Sequence, residues 1–285
     1  MGAAAGNGAT TTPSGFTARE NAASTNTLAQ TWDQKLSASG PTGTASSTKS
    51  NSFFGELASF VIGISVLPPV AGYTSWYDAS QLSLADGAAM ASWADLGPGA
   101  NTLTQGTGAL QPNYYKTTGA YLINGHPAVR FNSTGPSFMS VSTSASQPFS
   151  TFAVWQPVSA ANASNSYIVH EGGSFAGVYY TASPPNGIQL YFGANVNSGL
   201  TVTPGAAASV AASVNGASSL VSVNGVNSAA LSPGAGGATD IGLGQQNAGN
   251  SMDSLYGEVL FYPFALTAPQ LASLHTYAQT KWGIP

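Results

Sequence analysis

The sequence predicts an all-β chain: a two-sheet antiparallel sandwich closed by one C-terminal helix and preceded by an extended N-terminal arm. Three observations predict it. From Tyr73 onward, short alternating apolar runs recur between Gly, Pro and Asn breaks, the pattern of half-buried strands. Asn224-Gly225 stands between two such runs, and Asn-Gly supplies the positive φ angles that a two-residue hairpin turn requires. A single well-punctuated helix signal stands at the C-terminus, while the first 52 residues are dominated by Gly, Ala, Ser and Thr.

Taken in order, residues 1–52 read as a low-complexity arm with little to bury. Leu28, Trp32 and Leu36 recur every four residues, which predicts one short helix over about 21–38, capped by Asn21 or Thr25 and ordered against a partner. Residues 53–72 form a connecting segment, in which 53–67 fits a short helix leading into a strand and Pro68-Pro69 ends either element. Residues 73–285 form the body. Strands are expected around Val129, Val141, Phe152, Ile168, Val178, Ile188, Val210, Val221, Leu243 and Leu260. In the last segment Thr267 and Gln270 have the spacing of a capping box and Pro269 lies in the first turn. Leu271, Leu274 and Ala278 mark a buried side, Lys281 suits the dipole, and Gly283 stands where a terminating glycine belongs.

Charged residues make up 6% of the 285, against about 25% in ordinary globular proteins. The hydrophobic share is 43%, so a core can form, and the surface must be solvated by uncharged polar groups. Lys and Arg total six, the net charge is −4 and no basic cluster exists, so nucleic-acid binding is not expected. There are no cysteines, so disulfides, thiolate metal sites and cysteine nucleophiles are excluded. Met1 to Gly6 has neither the basic nor the apolar region of a signal peptide, and the apolar run at 53–70 is too interrupted to span a bilayer. An extracellular type of surface without an export signal is the expectation for a virion component released by lysis.

The motifs Trp76-Tyr77-Asp78-Ala79-Ser80 with Trp93-Ala94-Asp95-Leu96, Asn124-Gly125-His126-Pro127-Ala128-Val129-Arg130-Phe131, the Val223-Asn224-Gly225 hairpin, and the close from Gly257-Glu258-Val259 to Lys281-Trp282-Gly283 follow one another in a characteristic order. In this the chain resembles the concanavalin A-like jelly-roll domains of the laminin G type, as found in bacterial surface proteins and phage virion proteins, often tail-associated. The resemblance covers about residues 60–285. It implies a jelly-roll sandwich, a fold that hosts lectins, hydrolases and inert spacers alike. Leu96-Gly97-Pro98-Gly99 departs from the pattern at a loop where relatives often have Ser-Gly.

Chemistry is sparse. A glycosidase needs two carboxylates placed on one face, and none are so spaced: Glu171 is flanked by His170 and glycines, and Glu258 stands alone in an apolar strand. His126, His170 and His275 are scattered and read as turn or surface residues. Relatives can hold structural calcium through loop oxygens. Here Asp78, Asp86, Asp95 and Asp240 are the candidates, but Asp78 and Asp95 read better as turn residues accepting backbone N–H bonds, and no cofactor is expected. Glycan recognition remains, by aromatic stacking and fixed hydrogen bonds. If Ile188, Leu190 and Phe192 point inward, Gln189 and Tyr191 point outward, with Tyr179 or Tyr180 in the same sheet. Tyr179, Gln189, Tyr191 and Asn195 are the candidate contacts, and Trp76, Trp93 and Trp282 are assigned to packing. The reading is a non-enzymatic structural virion protein, tail- or capsid-associated. Its arm (Leu28, Trp32, Leu36) docks to other virion proteins, and its head is displayed outward as a homo-oligomer on the particle and adsorbs to host glycans. The alternative is a carbohydrate-binding module of a bacterial surface or secreted protein.

Overall fold

The computed structural model describes residues 17–23, 28–33, 67–133, 137–160, 166–172, 176–244 and 252–285, with the backbone alone at 17–23, 28–33 and 172. The chain divides into two compact units, Met1–Leu67 and Pro68–Pro285.

In the first unit, strands β1 (Thr17–Ala23) and β2 (Leu28–Asp33) pair antiparallel, Ala18 opposite Trp32 and Ala23 opposite Leu28. This corrects the helix expected over 21–38. The physical reason lies in the spacing itself: four residues is a whole number of repeats for a period of two as well as nearly one helical turn, so Leu28 and Trp32 do not discriminate. A single helix of that length also has little stability of its own to set against strand pairing. Leu36 and residues 53–66 lie outside the described residues.

The second unit carries β3 (Ser75–Asp78), β4 (Ser92–Trp93), β5 (Leu103–Thr104), β6 (Asn113–Tyr115), β7 (Ala128–Phe131), β8 (Phe138–Ala145), β9 (Phe149–Pro157), β10 (Ser166–Gly172), β11 (Ala176–Thr181) and β12 (Gly187–Tyr191). It continues with β13 (Asn195–Thr201), β14 (Ala208–Val214), β15 (Leu220–Val223), β16 (Val226–Asn227), β17 (Ala238–Gly244), β18 (Ser254–Tyr262) and helix α1 (Ala268–Trp282). It begins a few residues before Tyr73, because Val70 is already buried in the core and its carbonyl accepts the Tyr262 hydroxyl at 3.2 Å.

Two eight-stranded antiparallel sheets form a jelly-roll-like sandwich. The front sheet runs β13-β12-β11-β10-β17-β8-β5-β4. The back sheet runs β16-β15-β14-β9-β18-β7-β6, with β3 completing it against the second half of β18. Asn224 and Gly225 both take positive φ (49° and 78°) and join Val223 to its partner Val226, the turn that Asn-Gly predicts. Between the sheets, Phe149 stacks on Phe261 (centroids 5.6 Å) and Trp155 meets Tyr180 edge-on (5.2 Å).

The other side of the back sheet is covered by α1. Gln270 Oε1 accepts the Thr267 N–H at 2.9 Å, and Gly283 ends the helix at φ 63° with its N–H on the Gln279 carbonyl. Trp282 lies on the backbone of β18 at Gly257, where a Cβ would fall 2.8 Å from the ring, so only glycine admits the indole.

Beneath the helix sits a buried ionic cluster. Glu258 Oε1 accepts from Trp76 Nε1 (2.5 Å) and from the Tyr277 hydroxyl (2.7 Å). Glu258 Oε2 accepts from Trp282 Nε1 (2.7 Å) and Lys281 Nζ (3.1 Å). Lys281 also donates to Asp78 Oδ2 at 2.7 Å, while Asp78 Oδ1 accepts the Ser80 N–H at 2.8 Å. Glu258 therefore does not stand alone, as its apolar strand suggested. Burial pushes its carboxyl up, Lys281 opposes the shift, and Asp78 reinforces it. Asp95 has the turn role assigned to it: it accepts the N–H groups of Trp76, Gly97 and Asn101 at 2.7–2.8 Å.

Removing the cation leaves two buried carboxylates facing each other. Lys281→Met is expected to destabilise the fold by about 3–5 kcal/mol in urea denaturation. A loss below about 1 kcal/mol would show that the cluster does not hold α1.

Candidate functional site

The outward side of the front sheet is built by alternation along β10 to β13. Val178, Tyr180, Ile188 and Leu190 enter the core, so their neighbours face away from it. Directly opposed residues share a side, and two rows result. One row runs Tyr167, Tyr179, Gln189, Asn197 across β10 to β13. The next runs His170, Gly177, Tyr191, Asn195, with Gly242 of β17 beyond His170.

The four residues predicted from sequence thus form two cross-strand pairs, Tyr179 with Gln189 and Tyr191 with Asn195. Their exposure differs. Tyr179 is 4% exposed, its ring 4.5 Å from that of Tyr167 and its hydroxyl donating to the Tyr167 hydroxyl at 3.1 Å. Gln189 is 7% exposed, and its Nε2 donates to the Ser183 carbonyl at 3.0 Å while its Oε1 is buried without a hydrogen-bond partner. Tyr191 is half-buried and Asn195 exposed, as is Asn197. Tyr191 and the two asparagines are therefore the open rim, and Tyr179 and Gln189 are the packed layer behind it.

The rim is held from below. The N–H groups of Phe192 and Ala194 both donate to the Pro233 carbonyl at 2.8 Å, and the Gly236 N–H donates back to the Phe192 carbonyl at 2.9 Å. Gln147 Nε2 binds the carbonyls of Gly234 and Gly236 at 2.9 and 2.6 Å. The turn that carries Tyr191 into Asn195 is thus fixed at several backbone points.

His170 is no surface residue. It is 3% exposed, packs edge-on against Tyr167 (4.6 Å) and pairs through Nδ1 with Asp240 Oδ1 at 2.8 Å. The imidazole lies over Gly242 of β17, and the Tyr167 ring lies over Gly177 of β11. Gly177 sits at φ 152°, where a Cβ would fall 2.4 Å from the Val169 carbonyl, so the bulge in β10 needs a glycine opposite it. The sequence signal for this arrangement was a pair of glycines in two strands, which gives no register by itself.

Four acids lie between residues 131 and 280. Asp240 binds His170. Asp253 lies just before β18 and forms a two-point pair with Arg130 at 2.8 and 2.5 Å. Glu258 is under α1, and Glu171 points between the sheets, fully buried, with neither carboxyl oxygen hydrogen bonded. Burial pushes the Glu171 carboxyl up to about 8; Thr151 beside it pulls down, and the charge of Asp240 adds to the rise. Among the described residues no three His, Asp or Glu side chains gather as a metal site, and no helix is long and apolar enough to cross a membrane. The groups on the open face suit hydrogen bonding and stacking.

No protein-family model matches the chain, and no curated protein matches it in sequence. Solved structures match in fold. The binding domain of Paraclostridial Mosquitocidal Protein 1 aligns over 75% of this chain and 55% of its own, with a TM-score of 0.53 and 12% identity. Domain 4 of AbnA, a GH43 extracellular arabinanase from Geobacillus stearothermophilus, in complex with arabinotriose, aligns over 72% of this chain and 98% of its own, with a TM-score of 0.52 and 16% identity. Trypanosoma rangeli sialidase in complex with sialic acid aligns over 76% of this chain and 34% of its own, with a TM-score of 0.52 and 12% identity. The chain thus spans about half of the mosquitocidal binding domain and a third of the sialidase, but nearly the whole arabinanase domain. At these identities the likeness is one of fold: a β-sandwich.

Glu171 gives a pH test of the interior. The folded chain keeps its proton up to pH about 8, whereas the unfolded chain releases it near the ordinary 4.5. Its contribution to stability is therefore complete below pH about 4.5 and falls by about 1.4 kcal/mol per pH unit as pH rises toward 8. Glu171→Gln is expected to exceed the parent in stability at pH 8, the gap closing toward pH 5 in paired urea titrations. A gap independent of pH would place the buried proton elsewhere.

Proposed function

We propose that the body is a glycan-binding module, with its site at the β12–β13 edge of the front sheet. The observation that carries this is the Tyr191–Asn195 cross-strand pair, a half-buried tyrosine beside an exposed amide, with Asn197 diagonal to it on the same face. A sugar ring presents C–H groups to an aromatic face and hydroxyls to its edge, and this rim offers a partner for each. The buried Gln189 Oε1 behind the rim gains a donor when a sugar hydroxyl reaches it. That a sandwich domain of the same fold holds arabinotriose supports the reading, and so does the low charge of the whole surface. In this reading the module works outside a cell, at a bacterial surface or in a secreted protein.

A second reading keeps the leader as a docking arm, with the body displayed on a virion. The division of the chain at Leu67 favours a leader distinct from the head. Deleting residues 1–67 separates the two: loss of particle incorporation with intact sugar binding supports the docking arm, while a protein absent from purified particles leaves the module reading alone.

Tyr191→Ala is expected to weaken binding of arabinotriose, or of the best ligand from a panel of neutral oligosaccharides, about tenfold in isothermal titration. The melting temperature should change by less than about 2 °C. Unchanged affinity would remove Tyr191 from the site, and a panel without any ligand would overturn the function.

A further inference from the structure

A second polar and aromatic patch lies on the far side of the body, at the β6–β7 end of the back sheet. Asn113 of β6 pairs with Arg130 of β7 and Tyr115 pairs with Ala128, so Asn113, Tyr115 and Arg130 share one side. Val129 and Phe131 enter the core, so that side faces away from the front sheet. Tyr121, in the single turn Gly119–Tyr121, lies beside them. Its ring is 4.6 Å from that of Tyr115, and the Arg130 guanidinium lies over it at 4.1 Å. Asp86 holds the connection between the two rings, accepting the N–H groups of Lys116 and Thr117 at 2.7 and 2.9 Å.

The patch is fixed in place and still partly open: Asn113, Tyr115, Tyr121, Arg130 and Asp253 are all half-buried. Asp253 takes Arg130 Nε on one oxygen and Nη2 on the other, which sets the plane of the guanidinium and leaves Nη1 for a further acceptor. The carboxylate oxygens keep lone pairs for a further donor. A donor and an acceptor thus stand side by side next to two paired rings, and the ion pair has no net charge to draw in an ionic ligand. Joining β7 to the start of β18 accounts for the ion pair. It does not by itself call for two partly exposed tyrosines against the guanidinium.

We infer that this patch is a second sugar-binding site, which takes a neutral sugar ring through a vicinal diol. One hydroxyl oxygen accepts from Arg130 Nη1, the neighbouring hydroxyl donates to Asp253, and the C–H face of the ring lies against the Tyr115–Tyr121 pair. Asn113 Nδ2 donates to the Gly87 carbonyl at 3.0 Å, which leaves Oδ1 as an acceptor at the rim of the patch. The inference goes beyond the site at Tyr191 and shares with it only the class of ligand. Tyr191 stands on the front sheet and Tyr115 on the back one, so two short ligands bind independently. A body with a site on each sheet can link two glycan chains.

The test is amide chemical-shift mapping on the isotopically labelled full chain. The probes are arabinotriose, methyl mannopyranoside, and the mannopyranoside analogue without its middle ring hydroxyl, which has no vicinal diol. Two groups of amides are expected to shift with the first two probes, one around Tyr121 and Arg130 and one around Tyr191 and Asn195, each with its own titration curve. Arg130→Lys keeps a cation for Asp253 and removes the forked donor, and is expected to weaken the first curve about tenfold. The second curve should be unchanged and reports an intact fold in the same sample. Tyr115→Ala, on the edge strand, is expected to act in the same direction. Shifts confined to the Tyr191 group overturn the second site and leave the proposed function standing. Shifts confined to the Tyr121 group uphold the second site and overturn the placement at Tyr191. Equal affinity of the Tyr121 group for the analogue overturns the diol assignment. Absence of shifts with all three probes overturns both sites.

Discussion

Glu258 is the point on which the back of the molecule turns. Its two oxygens accept from two indoles, one phenol and one ammonium, and these donors come from β3 and α1, which the Lys281–Asp78 pair also joins directly. A carboxylate in an apolar strand would be severely penalised if left bare. Surrounded by four donors it becomes a clamp: the start of the body, at Trp76, and its end, at Lys281 and Trp282, are fastened to the same side chain, with Asp78 joined through Lys281. The helix also shields the cluster from water, so each hydrogen bond is made in a medium of low polarity. Gly257 belongs to the same device, because it lets Trp282 reach the strand backbone beside Glu258.

This concentration of charge has a counterpart in its scarcity elsewhere. With 6% charged residues, the chain places its ions at seams: Arg130 with Asp253 where β7 meets the start of β18, Lys281 with Asp78 and Glu258 beneath the helix, and Asp86 on the backbone N–H groups of Lys116 and Thr117. Among the described residues the faces between the seams are left mostly to Ser, Thr, Asn, Gln and Gly, with the Asp240–His170 pair on the front sheet the exception. Such a surface attracts few counterions, and binding to it depends little on salt. Recognition there has to rely on the direction of hydrogen bonds and on ring stacking.

The sandwich was legible because its signals are local and repeated. The Asn224-Gly225 turn, the inward alternation of Ile188 and Leu190, and the punctuation from Thr267 to Gly283 each report a backbone requirement of a few neighbouring residues. What could not be read depends on pairing between distant strands. The Glu258 cluster joins residues about 180 positions apart, and no spacing rule links Trp76 to Lys281. His170 reads as a surface residue until register places it between Gly177 and Gly242. Leu28 and Trp32 have a spacing that two periods share, so the arm was assigned the wrong one. The site was half legible for the same reason: alternation sends Tyr179, Gln189 and Tyr191 to one side, but only cross-strand packing decides which remain open.

That division between open and packed residues bears on how the rim can bind. Exposed tyrosines and asparagines on free loops lose side-chain and backbone freedom when a ligand orders them, and weak polar contacts rarely compensate. Here the backbone joining Tyr191 to Asn195 is already fastened to the Pro233 and Gly236 segment, which Gln147 holds in turn. In the adjacent row Tyr167, Tyr179 and Gln189 are buried, and the Tyr167 and Tyr179 rings pack together. Most of the ordering is therefore complete before a ligand arrives. In the glycan-binding reading we propose, a small number of neutral contacts can then give useful affinity.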